Sequence, residues 1–284
     1  IANTRSSIEP ILTYSDDRTL REKAWRMFVN RGDNGGTTDN NTTIAQILQL
    51  RAERAKLLAF PTHAHWRLEN AMAKYDLDES EVTPYMQLEN LREGMFHMAQ
   101  ELFGFNFKPV DASKVPVYHP DVRVWEVTNP KGELIGLWYF DPYARKGKRS
   151  GAWMNAYRTQ ERFDGDIKTI VSNNSNFVKG KPGEPVLISW SDAETLFHEF
   201  GHALHGLSSN VSYPSVSGTR VARDYVEFPS QALEHWLPTP EILDRYALHY
   251  QTGKPIPKAL VEKIERADKF NQGFDTVEFL SSAL

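Results

Sequence analysis

Cysteine is absent from the 284-residue chain, which excludes disulfide scaffolds, thiolate nucleophiles and every thiolate zinc site. Any metal has to be held by His, Asp or Glu. A chain without thiols tolerates reducing and oxidising surroundings alike, so this absence is silent on compartment. Long apolar runs are missing too: a spanning helix needs about 20 apolar residues in succession, and no apolar signal region opens the sequence. Nor is there an excess of either charge, since 33 Lys and Arg face 37 Asp and Glu for a net charge of −4. No block of like charge resembles a nucleic-acid-binding tail. We expect a soluble protein of cytoplasmic type, with a periplasmic location left open, and with neither nucleic acid nor membrane as a partner.

Core material is plentiful, with 7 Trp, 11 Tyr and 15 Phe, and the length suits one large domain or two modest ones. The spacing of Ile8, Ile11, Leu12, Leu20, Trp25, Met27 and Phe28 reads as one or two short helices, interrupted at Ser15-Asp16-Asp17. Residues 30–43, rich in Gly, Asn, Asp and Thr, read as an exposed loop, with Asn41 or Thr42 as the N-cap of a helix that runs to Phe60-Pro61. A further helical segment is expected to about Lys74.

Leu88, Leu91, Met95, Phe96, Ala99, Leu102 and Phe103 form one helical stripe, closed by Gly104. The texture then becomes β-branched and aromatic: VPVYHPDVRVWEV, a turn at TNPKGE and LIGLWYF predict a hairpin, and Lys168–Ser172 and Pro185–Trp190 two more strands. Helices resume at Asp192, separated by a connection at 207–222. The expected fold is mainly α with a small antiparallel β-sheet.

Within SDAETLFHEFGHALHGL, His198, Glu199 and His202 form H-E-x-x-H. In a chain with this many His and Glu, the pattern arises by chance only about 0.02 times. Asp192 as N-cap and Thr195 as N3 put it on a helix, with Leu196, Phe197, Phe200, Ala203 and Leu204 free to bury the remaining surface. Four residues at about 100° each bring His202 within about 40° of His198, one turn on, so both imidazoles reach one ion. Glu199 flanks the same point, suitably placed to take a proton from a metal-bound water.

Catalytic zinc usually has three protein ligands. His205 lies about 10 Å along the helix axis from His198, too far to share an ion bound at about 2 Å. The metzincin pattern needs glycine at position 205 and histidine at 208, where this chain has His205 and Ser208. A carboxylate from the following segment is the remaining source, and spacing leaves Asp224, Glu227 and Glu234 open. Glu227 precedes Pro229, which fits only the first turn of a helix.

FHEFGHALHGL, the SGT at 217–219, DYVEFPSQ at 224–231, VPVYHPDVRVWEV at 115–127 and GAWM at 151–154 resemble the bacterial peptidyl-dipeptidases of the thimet oligopeptidase-like zinc metallopeptidase family. The resemblance covers most of the chain. It implies a gluzincin-type metallopeptidase catalytic region with one Zn²⁺ per chain, bound by His198, His202 and Glu227, and Glu199 as general base and proton shuttle. It implies oligopeptide substrates and release of C-terminal dipeptides. The alternatives are an oligopeptidase cutting internally in short peptides and a catalytically incomplete zinc-binding fragment. On this reading 1–74 is a helical segment and 75–284 the zinc-binding catalytic region, one continuous domain truncated at both ends. The family's helical N-terminal half, a helical stretch at the junction of Ala73-Lys74 with Tyr75-Asp76, and a Tyr- and Gly-rich segment beyond Leu284 have no counterpart in the sequence. Loss of fixed oxyanion donors alone would slow a reaction about 10²–10³-fold.

Gly151, Ala152, Trp153 and Met154 are expected to bind substrate as an edge strand, with packing at the sheet edge as the alternative. His119, His235 and His249 read as structural or surface groups. Arg220 and Arg223 are candidates for a peptide carboxylate or plain solvated charge. Glu194 and Glu234 are candidates to orient a ligand by hydrogen bonding or to form surface salt bridges.

Overall fold

The computed structural model describes residues 11–12, 15–63, 66, 77–111, 113–181, 183–269, 272–273, 276–277 and 280. Two compact units are present, 1–70 and 71–284. In the first, α1 spans Arg18–Val29 and α2 spans Asn41–Leu57. Asp17 caps α1 by accepting from the N–H groups of Thr19 and Leu20 at 2.8 and 3.1 Å. The loop between the helices is ordered by Asp39, whose carboxylate accepts from the N–H groups of Asn34, Gly35 and Asn41. Helix α2 thus starts slightly before the expected cap, with Asn40 in that position and no side-chain cap bond. Most of the helical segment expected to Lys74 lies outside the described residues.

The second unit begins with α3 (Glu79–Val82), a 3₁₀ turn at Thr83–Tyr85 and α4 (Leu88–Phe103). The α4 stripe is buried at Leu88, Leu91, Met95, Met98 and Ala99. Gly104 ends it in the left-handed region at φ 68°, where a Cβ would meet Pro130 at 2.4 Å.

Five strands follow: β1 (Asn106–Val110), β2 (Arg123–Thr128), β3 (Leu134–Tyr143), β4 (Trp153–Arg158) and β5 (Thr169–Phe177), in the order β1-β2-β3-β5-β4. The sheet is mixed, which corrects the expected antiparallel one: β3 and β5 run parallel and the other pairs antiparallel. A parallel pair needs a long crossover, and residues 144–168 supply it by first laying β4 at the edge. Strand β1 was not anticipated. Its Pro109 cannot donate to a ladder and reads as a strand breaker, but β1 is an edge strand, where that is tolerated. The stretch from Pro185 is not a strand either; it contributes two backbone bonds to the segment at Met86-Leu88, Leu88 N to Val186 O and Ile188 N to Met86 O, before a helix takes over.

That helix, α5 (Trp190–Leu207), packs across β5, β4 and β3. It starts before the expected Asp192: Ser189 is the N-cap, and Asp192 is the third residue of a capping box in which each side chain binds the other's backbone N–H. Phe197 and Phe200 are fully buried with Trp138 and Phe140 of β3. Helices α6 (Phe228–Glu234), α7 (Pro240–Tyr246) and α8 (Lys258–Asp268) complete the unit, with α6 against α5 and α7 against α4. A second apolar cluster of Val122, Val124 and Tyr139 gathers Val115 and Val117 from the irregular segment before β2. Among the described residues no helix is long and apolar enough to cross a membrane.

The connection from β3 to β4 is held by a buried ion cluster. Asp141 accepts from Arg145 Nη1 and Nη2 at 2.5 and 2.7 Å and pairs with Lys148 at 3.0 Å. Lys148, with a side chain 3% exposed, also donates to the carbonyls of Asp141 and Tyr143. Burial pushes the Asp141 carboxyl up, but the hydrogen bonds and charges of Arg145 and Lys148 outweigh it and hold it below the usual carboxylate range. The stabilisation is therefore complete above the ordinary Asp pKa and is lost as pH falls through the depressed one. Asp141→Asn should cost about 3–5 kcal/mol at pH 7 by leaving Lys148 buried and unpaired. Urea unfolding of both proteins from pH 7 downward should show that gap narrowing with acid; a gap independent of pH would contradict the role given to this carboxylate.

Candidate metal centre

His198 and His202 project from the same side of α5, their ring centroids 4.8 Å apart and nearly perpendicular. Glu227 comes from the position just before α6, where Phe228 and Pro229 open the first turn as the proline requires. Glu227 Oε2 lies 3.2 Å from His198 Nε2 and 3.1 Å from His202 Nε2. One ligand atom from each residue falls within 4.8 Å of the others. Ser230 holds the carboxylate from below, its Oγ donating to Glu227 O at 2.9 Å and to Oε2 at 3.0 Å.

The approach of α6 depends on Gly201, which lies between the two histidines. A Cβ there would stand 2.7 Å from Ser230 Cα and 3.1 Å from Pro229 O, closer than packed atoms tolerate. Without a side chain at 201, the backbone of α6 closes on α5 and brings Glu227 to the imidazoles.

The donor set suits a divalent ion. Zinc bonds of about 2.0–2.2 Å place tetrahedral ligand atoms about 3.3 Å apart, close to the separations from Glu227 to the two nitrogens. Burial lowers the His202 pKa ahead of the opposing charge of Glu227, which favours the neutral imidazole that metal binding needs. His198 Nδ1 is hydrogen-bonded to Glu234 Oε1, the outer contact that fixes a ligating ring. Glu199 is buried with its Oε2 lacking a hydrogen-bond partner. Burial raises its carboxyl, reinforced by the charge of Glu227 and opposed by His198 and the Met154 backbone amide. A buried carboxylate is thus held beside the three-residue cluster.

Two comparisons with known proteins bear on this geometry. The model of peptidase family M3 matches residues 11–76 and 72–284. The chain belongs to peptidase family M3. It is 35% identical to the dipeptidyl carboxypeptidase of Escherichia coli over 97% of its own length and 48% of the relative's. It is 31% identical to oligopeptidase A of Salmonella typhimurium over 92% of its length and 47% of the relative's. The chain therefore spans about half the length of these curated relatives. M3 proteins are metallopeptidases, and the family match comes in two pieces that meet at 72–76.

Other sequence candidates in this M3 chain fall where packing puts them. His205 and Asp224 are outside the cluster among the described residues. Glu194, in the first turns of α5, accepts from Trp190 Nε1 at 2.8 Å. His119 Nδ1 accepts from the Asp121 N–H, and His249 Nδ1 from the Gln251 N–H, both structural bonds. Gly151 and Ala152 precede β4, while Trp153 and Met154 open this edge strand.

One contributor went unnoticed in the sequence. Asn173, 1% exposed on β5, accepts from Trp138 Nε1 at 2.6 Å and donates to the backbone carbonyl of Glu199. Met154 is its register partner on β4. Adjacent strands thus grip Glu199 at its carbonyl and face its carboxylate. The signal was present as a polar run, Ser172, Asn173 and Asn174, inside a buried strand, where most polar side chains are hydrogen-bonded.

Gly201→Ala should separate α6 from α5 and weaken zinc binding by at least about tenfold, within the range seen when the supports of a ligand are lost, although residue 201 contributes no ligand atom. Competition with a chromogenic chelator measures this directly. Unchanged affinity would mean that Glu227 reaches the histidines without the close helix contact.

Proposed function

We propose that the chain carries the zinc site of a peptidase that releases C-terminal dipeptides from oligopeptides. The reading is carried by the convergence of His198 Nε2, His202 Nε2 and Glu227 Oε2 beside the buried carboxylate of Glu199. A zinc ion held by His198, His202 and Glu227 would supply Lewis acidity for the scissile carbonyl and for activation of water.

The chain's own residues do the rest. Glu199 takes a proton from the attacking water at its unpartnered Oε2 and returns it to the departing amine. Its burial favours the protonated state it must pass through between those transfers. Glu227 offsets part of the positive charge of the site, and Glu234 fixes the His198 ring. Trp153 and Met154 at the start of edge strand β4, with Gly151 and Ala152 just before it, offer their backbone to an extended peptide by strand addition. Similarity to a dipeptidyl carboxypeptidase at 35% identity supports dipeptide release. Similarity to oligopeptidase A at 31% supports internal cleavage as the second reading.

Mass-spectrometric product mapping decides between them, using the zinc-loaded chain, an N-blocked oligopeptide and its C-terminal amide. Stepwise loss of dipeptides from the free acid alone is expected. Glu199→Gln should lower that rate by about 10²–10⁴-fold with zinc content unchanged. Internal cuts in both peptides would instead support the oligopeptidase, and stoichiometric zinc without cleavage would contradict catalysis by this chain.

A further inference from the structure

Past the imidazole cluster, at the C-terminal turn of α5, lies a cavity of about 230 Å³ between β4 and the loop at 217–220. Met154, Ala156, Gly206, Ser217 and Gly218 contribute to its lining, and Arg220 is the one charged residue among those that line it. Arg220 is exposed, and its guanidinium has no carboxylate partner among the described residues.

The walls of this cavity are set by close packing. A Cβ on Gly206 would stand 2.9 Å from Val171 Cγ1 and 3.2 Å from Met154 Cε, and one on Gly218 would stand 3.1 Å from Gly206 Cα. Helix α5 is therefore pressed between the sheet and the loop at this turn. Gly218 adopts φ 57°, a conformation that favours glycine. Ser209 and Ser217 hydroxyls meet at 3.0 Å, the Gly218 N–H donates to Ser209 Oγ at 3.1 Å, and the Arg220 N–H closes a turn on Ser217 O at 3.1 Å. The backbone that carries Arg220 is thus tied to the helix that carries the histidines.

Distance along α5 gives the cavity a length scale. Gly206 is one turn beyond His202, about 6 Å along the axis, and two extended residues span about 7 Å. A peptide with its scissile bond at the histidines and its chain running toward the C-terminal end of α5 would place the carboxylate two residues later beside the loop. The C-terminal end of a helix carries partial negative charge, so a carboxylate there needs a cation, and a guanidinium binds one through two parallel hydrogen bonds.

We propose that Arg220 anchors the free α-carboxylate of the peptide, so that the distance from this anchor to the histidines makes the leaving group a dipeptide. The inference rests on the dipeptide-releasing reading above and adds the group that recognises the chain end. Arg223 was an equal candidate in the sequence but does not line the cavity.

Isothermal titration of the zinc-loaded chain with dialanine and with dialanine amide tests the anchor without requiring turnover. The free acid should bind about 10–100-fold more tightly, as a charge-assisted pair allows. Arg220→Gln should remove that preference with zinc affinity unchanged, and Arg220→Lys should keep part of it. A free-acid preference that survives in Arg220→Gln, or no preference in the parent chain, would overturn the assignment. Product mapping on the same proteins separates the two ideas: lost preference in Arg220→Gln without dipeptide release by the parent would keep the anchor and remove the dipeptidase reading.

Discussion

The cluster of His198, His202 and Glu227 depends on a contact that involves none of their side-chain atoms. At Gly201 the backbones of α5 and α6 meet so closely that even a methyl group would collide with Ser230 Cα. The histidine pair is a local property of one helix, set by a spacing of four residues. The third candidate ligand is non-local, since Glu227 lies 25 positions beyond His202 and reaches it only because the two helices touch. Ser230, at the point of contact, also binds the Glu227 carboxylate, so the residue that receives the helix also aims the ligand.

The opposite side of α5 is fixed by an equally specific contact. Gly206 admits Val171 and Met154 of the sheet, and Asn173 ties the Glu199 carbonyl to Trp138 through a buried hydrogen-bond chain. Glu199 is consequently held from the sheet while His198 and His202 are held from α6. Such two-sided restraint matters because a catalytic group displaced by about 1 Å can lose about 10²-fold in rate. Glu199 Oε2 and His202 Nδ1 are among the buried polar atoms left without partners, with Ser175 Oγ and His205 Nδ1 also unpartnered on β5 and α5, and an isolated buried polar atom is costly.

Local signals explain what could be read in the sequence. H-E-x-x-H needs only helical periodicity, and the α4 stripe with its glycine stop needs only that and a left-handed cap. Pairing was harder to read because it depends on partners distant in the chain. The insertion of β5 between β3 and β4 makes one pair parallel, a feature no strand pattern announces. Asp192 reads as the cap of α5 in sequence because Asp is a good cap, yet Ser189 and Asp192 cap each other reciprocally. Glu194 and Glu234 were equivalent candidates in one dimension. Tertiary packing gave Glu234 to His198, whereas Glu194 is taken by Trp190 four residues earlier on the same helix.

Spectroscopy at the metal itself addresses the central claim, that His198, His202 and Glu227 form one zinc site. Zinc K-edge X-ray absorption of the loaded chain should give a four- or five-coordinate shell at about 2.0–2.2 Å, with outer-shell scattering from two imidazoles. Glu227→Ala should remove one oxygen ligand while both imidazoles remain. A shell of oxygen atoms without imidazole scattering, or a spectrum unaffected by Glu227→Ala, would contradict the account.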